Sequence, residues 1–308
     1  MNVREEKSRN KILLGQDGNA LINLIILNAI VFALLEFIYV VYLISNLNEE
    51  AYFKNIFNWF ILPADLTKFS SRPWTLLTYM FTHEKLIHLL GNMFFLWSFG
   101  YILQDLAGNR KLVPIYIYGG VVGAIFFSLS YYIFPFLHDN ISTGTLMGAN
   151  VSIMAVAVAT TALSPDYRIF PMINGGIPLW ILTLAYAIID IASIPVNNPA
   201  KYIAHLSGAA VGFFFVYQLR KGKDWSEWMN NFFDWVDNLF NPRAKNISKP
   251  VKEEFFYKVK ESQPYKKTPN VTQKRVDEIL DKINQKGFHF LTDEEKDILK
   301  RAASGDDF

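Results

Sequence analysis

Five side chains stand out because they are strongly polar or ionisable and lie inside long apolar runs or close to their ends. They are His88, Asn92, Asn150, Asp190 and His205. Such groups are costly in hydrocarbon, so each is a functional candidate by default. His88 and Asn92 are four residues apart and would share one face of a helix. At a rise of about 1.5 Å per residue, all five fall in roughly the outer third of a bilayer. We therefore expect one polar cavity, open to the outer face, to which four helices contribute.

The apolar runs that carry these residues are long enough to cross a membrane as helices. Hydrophobic residues make up 51% of the 308 residues and charged residues only 19%, against about 25% charge in average soluble chains. A spanning helix needs about 20 mostly apolar residues. We predict six spans, at 21–44, 86–103, 113–134, 146–163, 177–194 and 202–219. The predicted fold class is all-α, a polytopic membrane protein built on a six-helix bundle with a cytoplasmic helical tail.

Lysine and arginine residues predict the side on which each connection lies. They are concentrated before the first run, after the second, after the fourth and after the sixth, whereas the opposite connections carry fewer for their length. Because short cytoplasmic segments are enriched in these residues, we predict that both termini are cytoplasmic.

The remaining segments divide the chain further. We assign a cytoplasmic N-terminal segment to 1–20, the membrane domain to 21–220, an interfacial amphipathic helix to 224–240, a linker to 241–270 and a small helical hairpin to 271–308. Within the membrane domain, the aromatic-rich stretch 48–82 is too interrupted to span, so we expect it to lie in the interface plane.

The tail after the sixth run has its own pattern. Apolar residues at helical spacing over 224–240 are typical of an interfacial helix, and four prolines mark the linker. Gly287 predicts the end of the first hairpin helix, and Thr292 with Glu295 predicts a capping box for the second. We expect the tail 224–308 to dock on a protein partner or on the membrane surface.

Three motifs carry a resemblance to a known family. Residues 79–92 read YMFTHEKLIHLLGN, residues 148–150 read GAN, and residues 205–212 read HLSGAAVG. With these motifs in this order, the sequence resembles the rhomboid family of intramembrane serine proteases over 21–219. Trp74 matches a tryptophan of the family's first loop, whereas Thr75 replaces the arginine that commonly follows it.

The resemblance implies a Ser–His dyad that attacks a peptide bond in the transmembrane segment of a substrate. It implies that His205 is the general base. It also implies that His88 and Asn92 supply oxyanion-hole donors, together with a backbone N–H near position 150. Asn150 stands where the family has its nucleophilic serine. The other residues expected in the cavity are His83, Met154 and Asp190.

The carboxamide at position 150 cannot act as the nucleophile, because its nitrogen is delocalised into the carbonyl. In a soluble serine protease studied by mutation, loss of the nucleophile lowers the catalytic rate by a factor on the order of 10⁶. We therefore expect Asn150 to hydrogen-bond to His205, and Asp190 to face the cavity and pair with His205, in a site that is chemically silent.

The preferred interpretation is a catalytically inactive pseudoprotease that binds transmembrane clients or scaffolds a membrane complex. The alternative is an active intramembrane serine endopeptidase, either through Ser152 or in a serine-containing parent of this chain. Ser152 lies about 200° around the helix from Asn150, on the far face. A transporter or channel is disfavoured, because no inverted repeat is visible.

Composition excludes other classes. The chain has no cysteine, which excludes disulfides, iron–sulfur clusters and thiolate zinc sites. The five histidines lack metal-ligand spacing and no phosphate-binding loop precedes a helix, so we expect neither metal nor cofactor. A net charge of +2 gives no reason to expect nucleic acid. Expected partners are transmembrane clients or membrane proteins and the bilayer. Because the tail resembles an extension of some bacterial rhomboids, we predict a bacterial inner (cytoplasmic) membrane.

Overall fold

Apolar stretches fold as helices in a membrane because a helix satisfies its own backbone hydrogen bonds. The computed structural model describes residues 19–169, 176–194, 198–240 and 273–304, and over these ranges the chain is mostly helical. The α-helices of the described ranges are α1 (Ala20–Ile44), α2 (Glu49–Asn55), α3 (Leu66–Ser71), α4 (Thr75–Thr78), α5 (Leu86–Ala107), α6 (Leu112–Ile133), α7 (Asn150–Leu163), α8 (Leu179–Ser193), α9 (Ala200–Arg220), α10 (Glu227–Phe240), α11 (Gln273–Lys286) and α12 (Asp293–Ser304).

Short strands and 3₁₀ turns complete the connections. The strands form two antiparallel pairs, β1 (Leu62–Pro63) with β2 (Thr145–Leu146) and β3 (Arg168–Ile169) with β4 (Ile177–Pro178). The 3₁₀ helices of the described ranges are Phe57–Trp59, Tyr79–Phe81, Asn109–Lys111, Pro135–Asn140 and Phe288–Phe290.

The six apolar runs correspond to α1, α5, α6, α7, α8 and α9. The helices α1, α5, α6 and α9 are long and apolar enough to cross a membrane. The helices α7 and α8 are apolar but have only 14 and 15 residues. The chain is thus a multi-pass membrane protein with an all-α fold, and the count of six spans stays a prediction.

Helix α7 forms the centre of the bundle between α6 and α9. Nine of its 14 residues are buried, including the small residue Ala155. A Cβ atom built on Gly119 of α6 would overlap the Ala155 side chain, and one built on Gly212 of α9 would overlap the Ala155 backbone oxygen. Small residues of α6, α7 and α9 therefore meet, and they bring the helix backbones into close approach.

Helix α7 begins at Asn150, later than the predicted boundary at residue 146. Leu146 is instead held in a strand opposite Leu62. The next turn needs Gly148, which has a φ of +95° and donates its N–H to the Tyr79 carbonyl at 2.9 Å. The chain therefore enters α7 through a glycine turn pinned to the first loop, and hydropathy alone gives no signal for such a turn.

The first loop, 48–82, is folded into the bundle at its end and does not lie wholly in the interface plane, so that prediction is wrong. Tyr79 and Met80 are fully buried. The Tyr79 hydroxyl donates to the Gly120 carbonyl at 2.7 Å, and the Tyr116 hydroxyl donates to the Met80 carbonyl at 3.0 Å. These long-range contacts fix the loop against α6, because each satisfies a polar group that would otherwise be buried without a partner.

The loop is also anchored without the arginine that the family commonly has at the position of Thr75. Trp74 stacks on Trp59 with ring centroids 5.9 Å apart and donates its indole N–H to the Trp59 carbonyl. Arg72, two residues earlier, donates from its guanidinium to the Asn58 carbonyl. Thr75 is buried and donates its hydroxyl to the Arg72 carbonyl at 2.8 Å. Arg72 thus supplies the cationic anchor from the other side of the tryptophan.

Helix α10 is fixed to the connection between α5 and α6. The Lys111 ammonium lies in a salt bridge with Asp224 and donates to the Ser226 hydroxyl at 3.0 Å. Arg110 pairs with Asp234 at 3.1 Å. Tyr118 donates its hydroxyl to the Trp225 carbonyl at 2.7 Å. The predicted amphipathic helix therefore exists, and its start is held by a charged turn at the end of two membrane helices.

The described residues 273–304 belong to a second compact unit of the chain. Within it, Ile279, Leu291 and Ile298 form a small core between α11 and α12. The Thr292 N–H donates to the Glu295 carboxylate at 2.8 Å, and the Glu295 N–H donates to the Thr292 hydroxyl at 3.3 Å. These two bonds form the predicted capping box. The N-terminal residues 1–18 and the predicted linker 241–270 lie outside the described residues.

Candidate active site

The first turn of α7 places Asn150 at the centre of a polar cluster. The Asn150 carboxamide accepts a hydrogen bond from the Asn92 amide at 2.7 Å, and it donates one to the Asp190 carboxylate at 2.7 Å. Asn92 comes from α5, seven residues after the N-cap residue Lys85, and Asp190 comes from α8. Both hydrogen-bonding ends of the Asn150 amide are therefore occupied by neighbouring helices.

Asp190 connects this cluster to His205 of α9. One carboxylate oxygen accepts from Asn150, and the other is hydrogen-bonded to His205 Nδ1. The Asp190 side chain is fully buried, and 7% of the His205 side chain is exposed. The expected direct hydrogen bond between Asn150 and His205 is replaced, in the described structure, by this bridge through Asp190.

His83 closes the other end of the cluster, just before α5. Its Nε2 accepts from the Asn92 amide at 3.0 Å and its Nδ1 donates to the Phe81 carbonyl at 3.3 Å, an assignment that follows from the partners. Burial lowers the pKa of His83 to about 4. His83 is therefore a neutral imidazole at physiological pH, because protonation of Nε2 would remove the acceptor that Asn92 uses.

Three other residues singled out from the sequence lie outside this hydrogen-bonded cluster. His88 lines the same cavity but is exposed and forms none of the cluster's hydrogen bonds. Met154 is buried, only 4% exposed, and is not among the residues that line the cavity. One helical turn carries Met154 below Asn150 into the packed interior of the bundle.

Ser152 also lies away from the cavity. It is completely buried, and its hydroxyl has no hydrogen-bond partner among the described residues. A Cβ atom built on Gly120 of α6 would lie 2.5 Å from this hydroxyl and close to the Met80 sulfur. The side chain therefore points towards α6 and the first loop, as the 200° turn from Asn150 requires.

The cluster forms one wall of a cavity of about 410 Å³. Sequence reasoning missed three of its lining residues, Glu84, Tyr186 and Lys201. The Tyr186 hydroxyl donates to the backbone carbonyl of Asn150 at 3.2 Å, and its ring lies 4.5 Å from that of Phe95. Tyr186 is one helical turn before Asp190, so its spacing from Asp190 was the available signal.

The chemical capacity of the site follows from these groups. A carboxylate on Nδ1 of an imidazole is the arrangement that orients a general base in serine hydrolases, but no hydroxyl of the described residues hydrogen-bonds to His205. Within the described ranges, no group of three histidine, aspartate or glutamate side chains is placed to hold a metal ion. In the described structure, the group bonded to His205 is thus the Asp190 carboxylate, and the nucleophile position of the family holds the Asn150 carboxamide.

Comparison with known proteins agrees with the geometry. The rhomboid domain family matches residues 70–222, and a family of unknown function (DUF6576) matches residues 263–304. Rhomboid protein 1, mitochondrial, of Saccharomyces cerevisiae is 29% identical over 146 residues, which cover 46% of this chain and 40% of the yeast protein.

Two further relatives have similar names. Presenilin-associated rhomboid-like protein A, mitochondrial, of Danio rerio is 29% identical over 143 residues, 44% of this chain and 35% of the relative. RHOMBOID-like protein 6, mitochondrial, of Arabidopsis thaliana is 27% identical over 185 residues, 60% of this chain and 54% of the relative. The matches thus span between about a third and about half of the relatives' own lengths.

These relatives also correct the predicted location. The sequence predicted a bacterial inner membrane, and this is wrong, because the matched curated proteins are mitochondrial rhomboids. The multi-pass membrane character of the chain is unaffected. The matched domain and the rhomboid names of the relatives show that the chain belongs to the rhomboid family.

Proposed function

We propose that this chain is a rhomboid pseudoprotease, which binds the transmembrane segments of client proteins at its cavity and does not cleave them. One observation carries the proposal. The residue at the nucleophile position is Asn150, and both ends of its carboxamide are engaged, one by Asn92 and the other by Asp190. The acyl transfer of a Ser–His dyad needs a hydroxyl that the base can deprotonate, and the nucleophile position holds an amide that is bonded to Asp190.

The position of Ser152 supports the same proposal against the active-protease alternative. Ser152 points about 160° away from Asn150 around the helix axis. For its hydroxyl to reach His205, α7 would have to rotate by about that angle or shift along its axis. The close approach of α7 to Gly119 and Gly212 leaves no space for such a rotation, because the Ala155 side chain and backbone already fill it. Ser152 is therefore a packing residue in this proposal.

The cavity supports the binding part of the proposal. Its volume of about 410 Å³ lies within the range of ligand-binding pockets, about 300–1,000 Å³. Its walls combine apolar side chains of α5 and α8 with the polar cluster of Asn92, Asn150 and Asp190. A transmembrane segment with a polar or poorly helical stretch would find hydrogen-bonding partners there that lipid does not offer.

A cross-linking experiment tests the binding proposal. Gly91 lines the cavity, and a Cβ atom built on it would meet nothing within 4 Å. A G91W variant therefore adds a large side chain at the cavity wall, at a position where the first side-chain atom meets no neighbour. The matched control is F94W, at an exposed position of the same helix that does not line the cavity.

In proteoliposomes, a transmembrane peptide carrying a photo-cross-linker should form an adduct with the wild type that has the mass of the intact peptide. We expect G91W to lose most of this adduct and F94W to keep it. Equal adduct formation by both variants would show that clients do not use the cavity. Adducts that contain only a peptide fragment would show that the chain cleaves its client.

A further inference from the structure

Helix α8 is attached to the bundle along one narrow stripe. Of its described side chains, the buried ones are Leu179, Tyr186 and Asp190. Together with Thr183 they follow a spacing of four, three and four residues, which is one face of a helix. Most of its other large apolar side chains are exposed, for example Ile188, which is 59% exposed, whereas Leu182 is partly buried against the core. The helix therefore depends largely on this face for its position.

Leu179 and Tyr186 of this stripe pack in the hydrophobic core, and three residues of the stripe also form hydrogen bonds to neighbouring helices. The Thr183 hydroxyl is hydrogen-bonded to the Thr161 hydroxyl of α7. The Tyr186 hydroxyl reaches the Asn150 carbonyl at 3.2 Å. Asp190 follows one turn later and is bonded to both Asn150 of α7 and His205 of α9. Asp190 is thus the residue on the stripe whose hydrogen bonds tie α8 to two different helices.

The bond to Asp190 depends on the length of the asparagine side chain. The amide nitrogen of Asn150 lies one bond further from the backbone than a serine hydroxyl would, and the same amide also reaches Asn92. A single hydroxyl at this position could not span both neighbours. The residue that removes the nucleophile therefore also joins α5, α7 and α8 through one side chain.

We propose that Asp190 is a positioning residue that latches α8 against α7 and α9 and so keeps the cavity closed on its α8 side. The latch uses the Asn150 amide as one donor and His205 as the other. Tyr186, Ile189 and Asp190 are the α8 residues of the cavity wall, so release of Asp190 would open the cavity between α5 and α8. The proposal rests on the proposed function only in taking this cavity as the client site.

The absence of cysteine from the chain gives a direct test. A single cysteine at Ile189 reports on the cavity, because Ile189 lines it. A single cysteine at Ile188, on the same turn but outside the cavity lining, is the matched control. The measurement is the rate at which a membrane-impermeant maleimide modifies each cysteine in the full chain, with and without a change at Asp190.

We expect D190A to raise the rate at I189C by about tenfold or more, the effect of losing hydrogen bonds to a charged group, and to leave the rate at I188C unchanged. D190N keeps an acceptor for Asn150 and a donor for His205, so its I189C rate should fall between those of the wild type and D190A. A disulfide pair, T161C with T183C, should form more slowly in D190A because α8 has moved.

The latch is refuted if D190A leaves the I189C rate unchanged. It is also refuted if D190A raises the rates at I188C and I189C equally, because that is loss of structure and not opening of the cavity. Neither result uses cleavage or client binding. A failed latch therefore leaves the proposed function standing, and a wild type that cleaves would refute the proposed function without changing the labelling rates.

Discussion

The Asn150 carboxamide does two things that a serine hydroxyl would not do together. It stands at the position where the family has its nucleophilic serine, and it donates and accepts hydrogen bonds that join Asn92 to Asp190. Buried polar groups are costly when left without partners. The side chain is therefore expected to stabilise the bundle as well as to silence the site.

The first prediction concerns this stabilisation. N150S removes the hydrogen bonds to Asn92 and Asp190 and leaves their buried polar atoms without these partners, which should lower the free energy of unfolding by about 1–3 kcal/mol. The measurement is thermal unfolding of the purified protein in detergent. The control is N140S at an exposed asparagine, which should change stability by less than about 0.5 kcal/mol. Equal effects of the two variants would contradict a structural role for the amide.

The second prediction concerns His83 and pH. Burial lowers the pKa of His83 to about 4, from an unperturbed 6.5. The unfolded chain therefore binds the proton first, and the stability contributed by the neutral imidazole is complete above about pH 6.5 and is lost as the pH falls towards 4. A shift of this size corresponds to about 3 kcal/mol.

The measurement is the melting temperature of the wild type and of H83Q between pH 7 and pH 4. Glutamine at this position can accept from Asn92 but does not titrate. The wild type should lose stability relative to H83Q as the pH falls, and parallel curves would show that His83 is not a buried neutral imidazole.

The helices position these residues through close backbone approach. Helix α7 carries Asn150 on its first turn, and its packing on α6 and α9 at Gly119 and Gly212 sets how near Asn150 lies to the neighbouring helices. Small residues at such crossings let membrane helices pack closely. The geometry of the site is therefore set by helix packing that lies at least one helical turn deeper in the bundle than Asn150.

The third prediction follows from this packing. G212A would place a methyl group on the Ala155 backbone oxygen, so it should cost about 2–3 kcal/mol of stability through overpacking. G91A adds the same methyl group to α5 in open space and should be neutral or slightly stabilising, because alanine favours helices. Thermal unfolding of the two variants distinguishes them, and a harmless G212A would contradict the close α7–α9 contact.

The positions of most membrane helices could be predicted from the sequence. The apolar runs located the six helices. The start of α7 could not be placed, because it depends on Leu146 pairing with Leu62, far away in sequence. The pairing of Asp190 with His205 was expected and is present, but the hydrogen bond from Asn150 to Asp190 was missed, since side-chain reach between helices is set by their packing.

Across the whole molecule, charged turns organise the side of the bundle opposite the cavity. Lys111 and Arg110 lie between α5 and α6 and pair with Asp224 and Asp234. Burial alone would raise the pKa of Asp224, but hydrogen bonds from Lys111 and Ser226 outweigh it and lower the pKa. The aromatic side chains of α10, such as Trp228, are exposed, which is typical of residues that lie at a membrane interface.

The fourth prediction concerns this anchor. K111A removes the salt bridge to Asp224 and the hydrogen bond to Ser226, so the start of α10 should separate from the bundle. Limited digestion with proteinase K should then cut more rapidly between residues 221 and 227. The control is K223A, at an exposed lysine in the same connection. Equal digestion of K111A and K223A would show that Lys111 does not hold α10.

The identity of the membrane could not be read from charges, which indicate only the relative sides of the connections. Motif order was more informative than composition, because the pattern from residue 79 to residue 212 pointed to the family that the domain match then showed. The expectation for Met154 came from the family and not from this chain's own packing, and its role stays a prediction.

The central claim is that the site has lost its nucleophile, and one measurement tests it most directly. A transmembrane substrate labelled at both ends is incubated in proteoliposomes with the wild type, S152A or H205A, and the products are weighed by mass spectrometry. We expect all three proteins to leave the substrate as intact as liposomes without protein. Substrate fragments that the wild type produces and S152A does not would contradict the claim.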